Sequence, residues 1–391
     1  MTPAPGPALR SFEAWRRQAR RRLPRGLFDY IDRGVGAEIA LARDRARLDA
    51  ATITPRMLQG DRPVETGCEI LGTPMAAPVV IAPTAMAGLV ARDGEIALAR
   101  AAAGAGLPFC LSTQSITPIG AIRAAVPEAR IWFQLYCWAE MDLTYALMRQ
   151  AADHGAEVLV PTVDTPVASR KDWNIRRGFG MPFRWRAPTV IDIALHLPWA
   201  CRVILPELLR GGMPAYGHYP EGSRPTLTRS AADPRVALRP ALSWEDIARI
   251  RERWPGRLLL KGICHPEDAE RAAALGADGI VVSSHGGRNF DPCPAPIDLL
   301  PEIRAAAGSR LEVMADSGVR RGSDVLKYLH AGAAGVMTGR LPLWGLAAAG
   351  APGAAAALAG LLQELEEAMA LSGLRREDLP GLVPSAPEPA A

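Results

Sequence analysis

At 391 residues, with 49% apolar and 22% charged side chains, the chain is long enough to bury a large core and ordinary enough in composition to be globular. Its 45 basic and 41 acidic residues leave a net charge of +4, too mild to argue for nucleic acid as a partner. Six cysteines, at positions 68, 110, 137, 201, 264 and 293, stand singly with no C-x-x-C pair, which argues against a zinc site and a disulfide framework and suits a reducing cytoplasm. The N-terminal stretch MTPAPGPALRSFEAWRRQARRRLP is basic with no apolar core after it, so a secretory signal is not expected. Nor is there a clean apolar run of about 18 residues to span a bilayer. Phe12 to Arg22 is amphipathic and Gly26 to Arg47 continues in that style, predicting a helical extension over residues 8–75. The Pro/Ala-rich tail from Val383 to Ala391 is expected to fray.

Eight short apolar or β-branched runs follow: Val79-Ala82, Pro108-Ser112, Ile131-Leu135, Val158-Thr162, Arg257-Lys261, Gly279-Ser283, Leu311-Ala315 and Ala334-Thr338. Alanine-rich segments with helical patterning separate them. That alternation predicts an α/β fold, a (β/α)8 TIM barrel over residues 76–375, within a single domain. One interval, from Thr162 to Arg257, is far longer than a returning helix needs. Its excess is an insertion after strand 4, at about residues 170–240, holding twelve Lys/Arg against five Asp/Glu, together with Trp173, Trp185 and Trp199. Long loops of this kind serve as lids or binding segments. Two readings stand: a basic, tryptophan-bearing membrane-surface contact, or a substrate lid with solvated arginines.

Polar groups occupy every strand end. In order these are Thr84 and Ala85; Ser112 and Gln114; Gln134 and Tyr136; Thr162 and Asp164; Lys261; Ser283 to Arg288; Asp316 to Arg320; and Gly339 with Arg340. In a parallel barrel that end is where chemistry is done. His285, followed by Gly286, Gly287 and Arg288, is the residue best suited to take a proton near neutral pH. Asp164 either orients a histidine or caps the next turn. Lys261, ending the run Leu258-Leu259-Leu260, is either a counter-ion for developing negative charge or one half of a strand-end salt bridge. Gly318, Arg320, Gly339 and Arg340, with a helix N-terminus near Arg321-Gly322-Ser323-Asp324, read as a phosphate site or as plain strand-to-helix turns.

These residues resemble those of the FMN-dependent α-hydroxy-acid dehydrogenases and oxidases, the family of glycolate oxidase, L-lactate dehydrogenase and mandelate dehydrogenase. The motifs are LPRGLFDY (23–30), IAPTAM (81–86), FQLY (133–136), TVDTP (162–166), LLLKGI (258–263), IVVSSHGGRNFD (280–291), ADSGVRRGSDVLK (315–327) and GVMTGR (335–340). The resemblance implies FMN bound across Thr84, Ala85, Ser112, Gln134, Thr162, Lys261 and Ser283, with Asp316, Gly318, Arg320, Gly339 and Arg340 also on the cofactor. It implies oxidation of an L-2-hydroxy acid to a 2-oxo acid. His285 would be the base, Asp164 would stabilise its imidazolium, and Lys261 would stand beside flavin N1. Arg288 would clamp the substrate carboxylate, and Tyr30 and Tyr136 would hydrogen-bond the substrate.

Three positions depart from the family. The family's second carboxylate-binding arginine is replaced by Lys171, with Arg170 beside it; lysine keeps the charge and loses the planar fork. Gln114 stands where an aromatic is common, and Ser284 where an Asn usually precedes the active-site His. The insertion's His196-Leu197-Pro198-Trp199 and Gly211-Gly212-Met213-Pro214 resemble the bacterial membrane-associated lactate and mandelate dehydrogenases. That implies electrons passed to quinone or another carrier, with oxygen the acceptor if the chain is instead an oxidase, and a cytoplasmic protein peripheral at the inner face of the membrane; membership of the family as a whole implies a homotetramer. Lys171-Asp172-Trp173 and Leu343 to Ala348 resemble the flavoenzyme of mycofactocin maturation, which keeps open a peptide-derived or other biosynthetic substrate. A non-catalytic flavin-binding protein is the remaining alternative.

Overall fold

A computed structural model of the chain describes residues 11–60, 63–167, 169, 171–177, 183, 186–210, 212–230, 233–240 and 242–382. Eight parallel strands close into a barrel: β3 (Val79–Ile81), β4 (Phe109–Ser112), β5 (Ile131–Leu135), β6 (Val158–Pro161), β7 (Arg257–Ile263), β8 (Gly279–Val282), β9 (Glu312–Ala315) and β10 (Gly335–Thr338), with β10 pairing β3. Most of these strands are buried along their whole length, as expected of a parallel sheet covered by helices, and their β-branched and aliphatic residues fill the centre. The eight predicted runs match these strands closely at both ends.

The register sets the site. Ser112 pairs with Gln134 across β4 and β5, so the polar ends of neighbouring strands finish at the same height. On β7 the pairing to β8 shifts between Lys261 and Ile263. The residue between them, Gly262, has φ +106°, and a Cβ there would lie 2.6 Å from Asp164 Cβ. Glycine at that point lets the ends of β6 and β7 meet.

Ahead of the barrel lie α1 (Phe12–Arg22), α2 (Arg25–Asp32) and α3 (Ile39–Ala50). The helical pattern predicted through residue 75 stops at α3. Beyond it, β1 (Cys68–Ile70) and β2 (Thr73–Met75) form an antiparallel hairpin, turned by Leu71 and Gly72, both at positive φ. Ile70 and Leu71 are buried where a Cβ on Gly335 or Gly279, the first residues of β10 and β8, would touch them. The hairpin therefore stoppers the N-terminal mouth of the barrel and leaves the opposite mouth for ligands. The helix Arg340–Ser372 is long and apolar enough to cross a membrane, but half of its apolar window is buried, and it breaks at Ala349 and Gly350. It is a packing helix of the barrel's outer layer.

Candidate active site

All eight strand ends line one cavity of about 670 Å³, together with Tyr30, Lys171 and residues of α1 and α3. At one side, His285 Nδ1 lies 2.9 and 3.0 Å from the two Asp164 oxygens. His285 itself has φ +56°, a strained conformation for a non-glycine residue, and it is followed by Gly286 and Gly287 at positive φ. A Cβ on Gly287 would lie 2.5 Å from the Leu41 backbone nitrogen, so the loop can dock on α3 only with glycine there. Burial works against the Asp164 charge, but His285, Lys261 and Thr165 outweigh it and hold the carboxyl below its ordinary range. Asn289 Nδ2 also donates to Asp164, at 3.1 Å to the carbonyl and 3.2 Å to Oδ1.

Lys261 Nζ donates to Ser283 Oγ at 2.8 Å and pairs with Asp316 Oδ2 at 2.8 Å. Burial pushes its pKa down, but Asp316 and Asp164 reverse the effect and leave it raised, so the ammonium persists. The alternatives left open for Lys261 and Asp164 thus resolve geometrically. Lys261 makes the salt bridge and still lines the cavity, while Asp164 orients the histidine.

Substrate-side cations come from two segments. Arg288 spends one nitrogen, NH1, on the carbonyls of Tyr30 (2.6 Å) and Arg33 (3.1 Å) at the end of α2, which fixes the guanidinium in the cavity wall. Lys171 is pushed down to about 7, first by burial and then by the nearby Arg288. Among the described residues neither cation makes an ion pair, and the effect of Arg288 on Lys171 puts the two groups near each other in the cavity wall. Arg170 lies outside the described residues. Burial, reinforced by Asp164, raises the Tyr136 phenol well above its ordinary range, keeping its proton in place.

At the other end, Arg320 and Arg340 line the cavity beside Gly318 and Gly339. Burial and Arg288 push Arg340 down to about 10, and its guanidinium donates only to the Ile31 and Gly286 carbonyls. The predicted helix N-terminus exists at Gly322, but acidic side chains already take up several of the N–H groups around it. Asp324 accepts from the Arg320 and Arg321 N–H groups, and Glu364 from Gly322. The groups that line the cavity at this end are therefore the arginines and glycines rather than the helix end. Between the two poles, Gln134 links Ser112 (3.2 Å) to Thr162 (3.0 Å), a row of polar groups across β4, β5 and β6.

Several neighbours were not legible as site residues. Glu13 of α1 pairs with Arg320 at 3.2 Å, and Ser169 Oγ donates to the Arg288 carbonyl at 3.0 Å. The insertion contributes Tyr216, His218 and Tyr219, with His218 accepting from Ile119 N–H at 3.0 Å and pushed down to about 4 by burial. Asp44 is buried beside the His285 loop. For Asp44 a signal did exist: it shares the buried stripe Ala40, Asp44, Leu48 of α3.

A parallel barrel with a histidine–aspartate dyad, a buried lysine, two cations unpaired among the described residues and an arginine-lined far end at one mouth is the layout of a cofactor-dependent enzyme. The model of the FMN-dependent dehydrogenase family matches residues 19–379, and the chain belongs to that family. It is 40% identical over 367 residues to an L-lactate dehydrogenase of a Caulobacter species, covering 93% of this chain and 95% of the relative. It is 37% identical over 359 residues to a putative L-lactate dehydrogenase of Mycobacterium tuberculosis, covering 92% and 84%. Among solved structures, the monotopic membrane protein (S)-mandelate dehydrogenase aligns at a TM-score of 0.88 with 32% identity, over 97% of this chain and 98% of that one. Mandelate oxidase with (S)-4-hydroxymandelic acid aligns at 0.79 with 36% identity, over 93% and 95%.

The site's own chemistry fits FMN. Among the described residues, the buried Thr338 hydroxyl at the end of β10 has no hydrogen-bond partner and Arg340 makes no ion pair, so the far end of the cavity holds a buried hydroxyl and a buried cation that a phosphate-bearing cofactor would satisfy. The protein is an FMN-dependent oxidoreductase of the α-hydroxy-acid class.

Proposed function

We propose that the protein oxidises an L-2-hydroxy acid, lactate- or mandelate-like, to the 2-oxo acid, with His285 as the base. The observation that carries this is the His285–Asp164 dyad at a cavity that two cations, Arg288 and Lys171, also line, neither of them ion-paired among the described residues. A 2-hydroxy acid offers a carboxylate to that pair and a hydroxyl-bearing carbon one bond away. Asp164 holds Nδ1 of the imidazole, so Nε2 receives the substrate proton and the carboxylate offsets the resulting positive charge. Tyr30 and Tyr136 hydrogen-bond the substrate. FMN, when bound, accepts the two electrons released as the alcohol becomes a carbonyl. It would lie across Thr84, Ala85, Ser112, Gln134, Thr162 and Ser283, with Asp316 also on the cofactor and Gly318, Arg320, Gly339 and Arg340 at its phosphate. Lys261 supplies fixed positive charge where FMN gains electrons.

The acceptor is best read as a membrane quinone. Helices Ala187–Leu195 and Leu197–Leu209 form a bent pair at 79°, apolar enough to count as a broken membrane span. They expose Ile191, Leu195, Leu197 and Leu209 at 59, 76, 60 and 79%. This aliphatic face, rather than the tryptophans, supports a peripheral contact at the inner face of the membrane. Trp199 is buried with its indole donating to the Leu89 carbonyl at 2.7 Å, and Trp173 packs 4.2 Å from Arg33; Trp185 lies outside the described residues. All six cysteines are free thiols, in keeping with a cytoplasmic site. Family resemblance supports a homo-oligomer.

His285→Gln removes the base and keeps a polar side chain of similar reach. Anaerobic flavin reduction by a substrate of the wild type is expected to slow by about 10²- to 10⁴-fold while FMN stays bound. Reduction at the wild-type rate would remove His285 from the mechanism.

A further inference from the structure

A chain of three short oxygen–oxygen contacts runs from α3 to the end of β9. Ser284 Oγ lies 2.6 Å from Asp44 Oδ2 and 2.9 Å from Ser317 Oγ, and Ser317 Oγ lies 2.7 Å from Asp316 Oδ1. The other Asp316 oxygen is 2.8 Å from Lys261 Nζ. Asp44, Ser284, Ser317 and Asp316 are 1, 3, 8 and 7% exposed, so bulk water does not complete these contacts.

Hydrogens must be counted in such a place. A serine hydroxyl donates one hydrogen and an ionised carboxylate none. Two serines thus supply two hydrogens for the three contacts. The backbone N–H groups of Gly286 and Gly287 point at the same serine oxygens, at 3.0 and 3.3 Å, and occupy their acceptor sites instead of filling the gap. With both carboxylates ionised, one contact sets lone pair against lone pair in a buried site, which is costly. Serine at position 284 makes the shortage, because the asparagine usual in the family would bring two amide hydrogens where serine brings one.

A third hydrogen on Asp44 satisfies all three contacts in one direction: Asp44 to Ser284, Ser284 to Ser317, Ser317 to Asp316. Asp316 is the poorer host, since its second oxygen already faces the Lys261 ammonium. Asp44 is the better one, since its second oxygen, Oδ1, is buried with no hydrogen-bond partner, a poor setting for a charge. Burial pushes Asp44 up to about 7, with Ser284 opposing, Asp316 adding, and Arg340 and Arg43 opposing. The titratable and charged groups around it are Arg43 on its own helix, Arg340 at the start of the last helix, Asp316 on β9, Tyr328 on the helix Gly322–His330, and Cys293 in the loop after β8.

We propose that Asp44 is a positioning residue of the active site: as a neutral carboxylic acid it donates the hydrogen that aligns Ser284, Ser317 and Asp316 against Lys261, holding the loops after β8 and β9 in their FMN-binding form. The loops concerned carry His285 at φ +56° and Ser317 at φ +78°, so the hydrogen-bond chain offsets backbone strain at both. Once Asp44 ionises, the chain lacks a hydrogen and a negative charge appears near Arg340, where the cofactor phosphate is placed above. Both effects weaken FMN binding. The affinity arm of the test rests on that placement; the infrared arm does not.

Infrared difference spectra of the apoprotein between pH 6 and 9 are expected to show a protonated carboxyl C=O stretch that is lost with a midpoint near 7 and is missing in Asp44→Asn. FMN titrations monitored by fluorescence should show the wild-type Kd weakening about tenfold per pH unit above about 8, relative to Asp44→Asn, whose amide donates at every pH. Asp44→Leu should bind FMN more weakly throughout; if it fails to fold, the comparison with Asp44→Asn still decides. Identical infrared titrations in wild type and Asp44→Asn overturn the protonated Asp44. A wild-type Kd that tracks Asp44→Asn across the range overturns its positioning role. Failure to bind FMN at any pH contradicts the proposed function instead.

Discussion

Lys171 stands where the family resemblance leads one to expect an arginine, and burial beside Arg288 holds its ammonium at about 7 rather than in the ordinary lysine range. A group whose pKa is lowered in this way is charged below that value and neutral above it. Its attraction for a substrate carboxylate is therefore present on the acid side and lost as the pH rises. For the free enzyme, kcat/KM toward a 2-hydroxy acid should fall by about 10- to 100-fold as the pH passes upward through about 7, the worth of one charged hydrogen bond. Lys171→Arg should remove that limb, because arginine stays charged; an unchanged profile in that variant would assign the limb elsewhere. At this scale the sequence disclosed residue types better than partnerships. His285, Lys261 and Arg288 stood out by motif and strand-end position. That Asp164 meets His285, and that Asp44 meets Ser284, depends on contacts across 121 and 240 residues of chain.

Among the elements, the eight barrel strands were legible because each is a short, fully buried β-branched run between helical segments, a pattern physics allows few other folds to share. The hairpin β1–β2 was not. Its strands are three residues each, and its turn places a leucine, Leu71, at positive φ where Asn or Gly would have announced it. The insertion was legible in length and charge but not in shape. Its tryptophans suggested the membrane contact, whereas the exposed residues of the bent helix pair are aliphatic. Burying a leucine contributes about 1.5–3 kcal/mol, so Leu195→Glu with Leu209→Glu should lower co-sedimentation with vesicles of bacterial lipid by at least about tenfold. Turnover with a soluble dye acceptor should persist, since both positions lie outside the residues lining the cavity. Undiminished sedimentation of the double variant would remove the helix pair from the membrane contact.

For the whole molecule, barrel closure is what turns scattered polar residues into one site. Strand ends as far apart in the chain as Thr84 and Arg340 line the same cavity, and the hairpin blocks the opposite mouth. That convergence followed from the fold class once eight strands were counted. The contribution of α1 did not follow, because the pairing of Glu13 with Arg320 joins residues 307 apart and no local pattern encodes it. On the function proposed here, an L-2-hydroxy acid bound at this mouth loses two electrons and two protons as it becomes the 2-oxo acid. The direct measurement is anaerobic mixing of the FMN-loaded protein with a panel that includes L-lactate, (S)-mandelate and their enantiomers, following flavin absorbance. Bleaching by at least one L-2-hydroxy acid, with release of the 2-oxo acid and no response to its enantiomer, is the predicted result. A flavin that binds yet stays oxidised with every member of the panel would contradict the account.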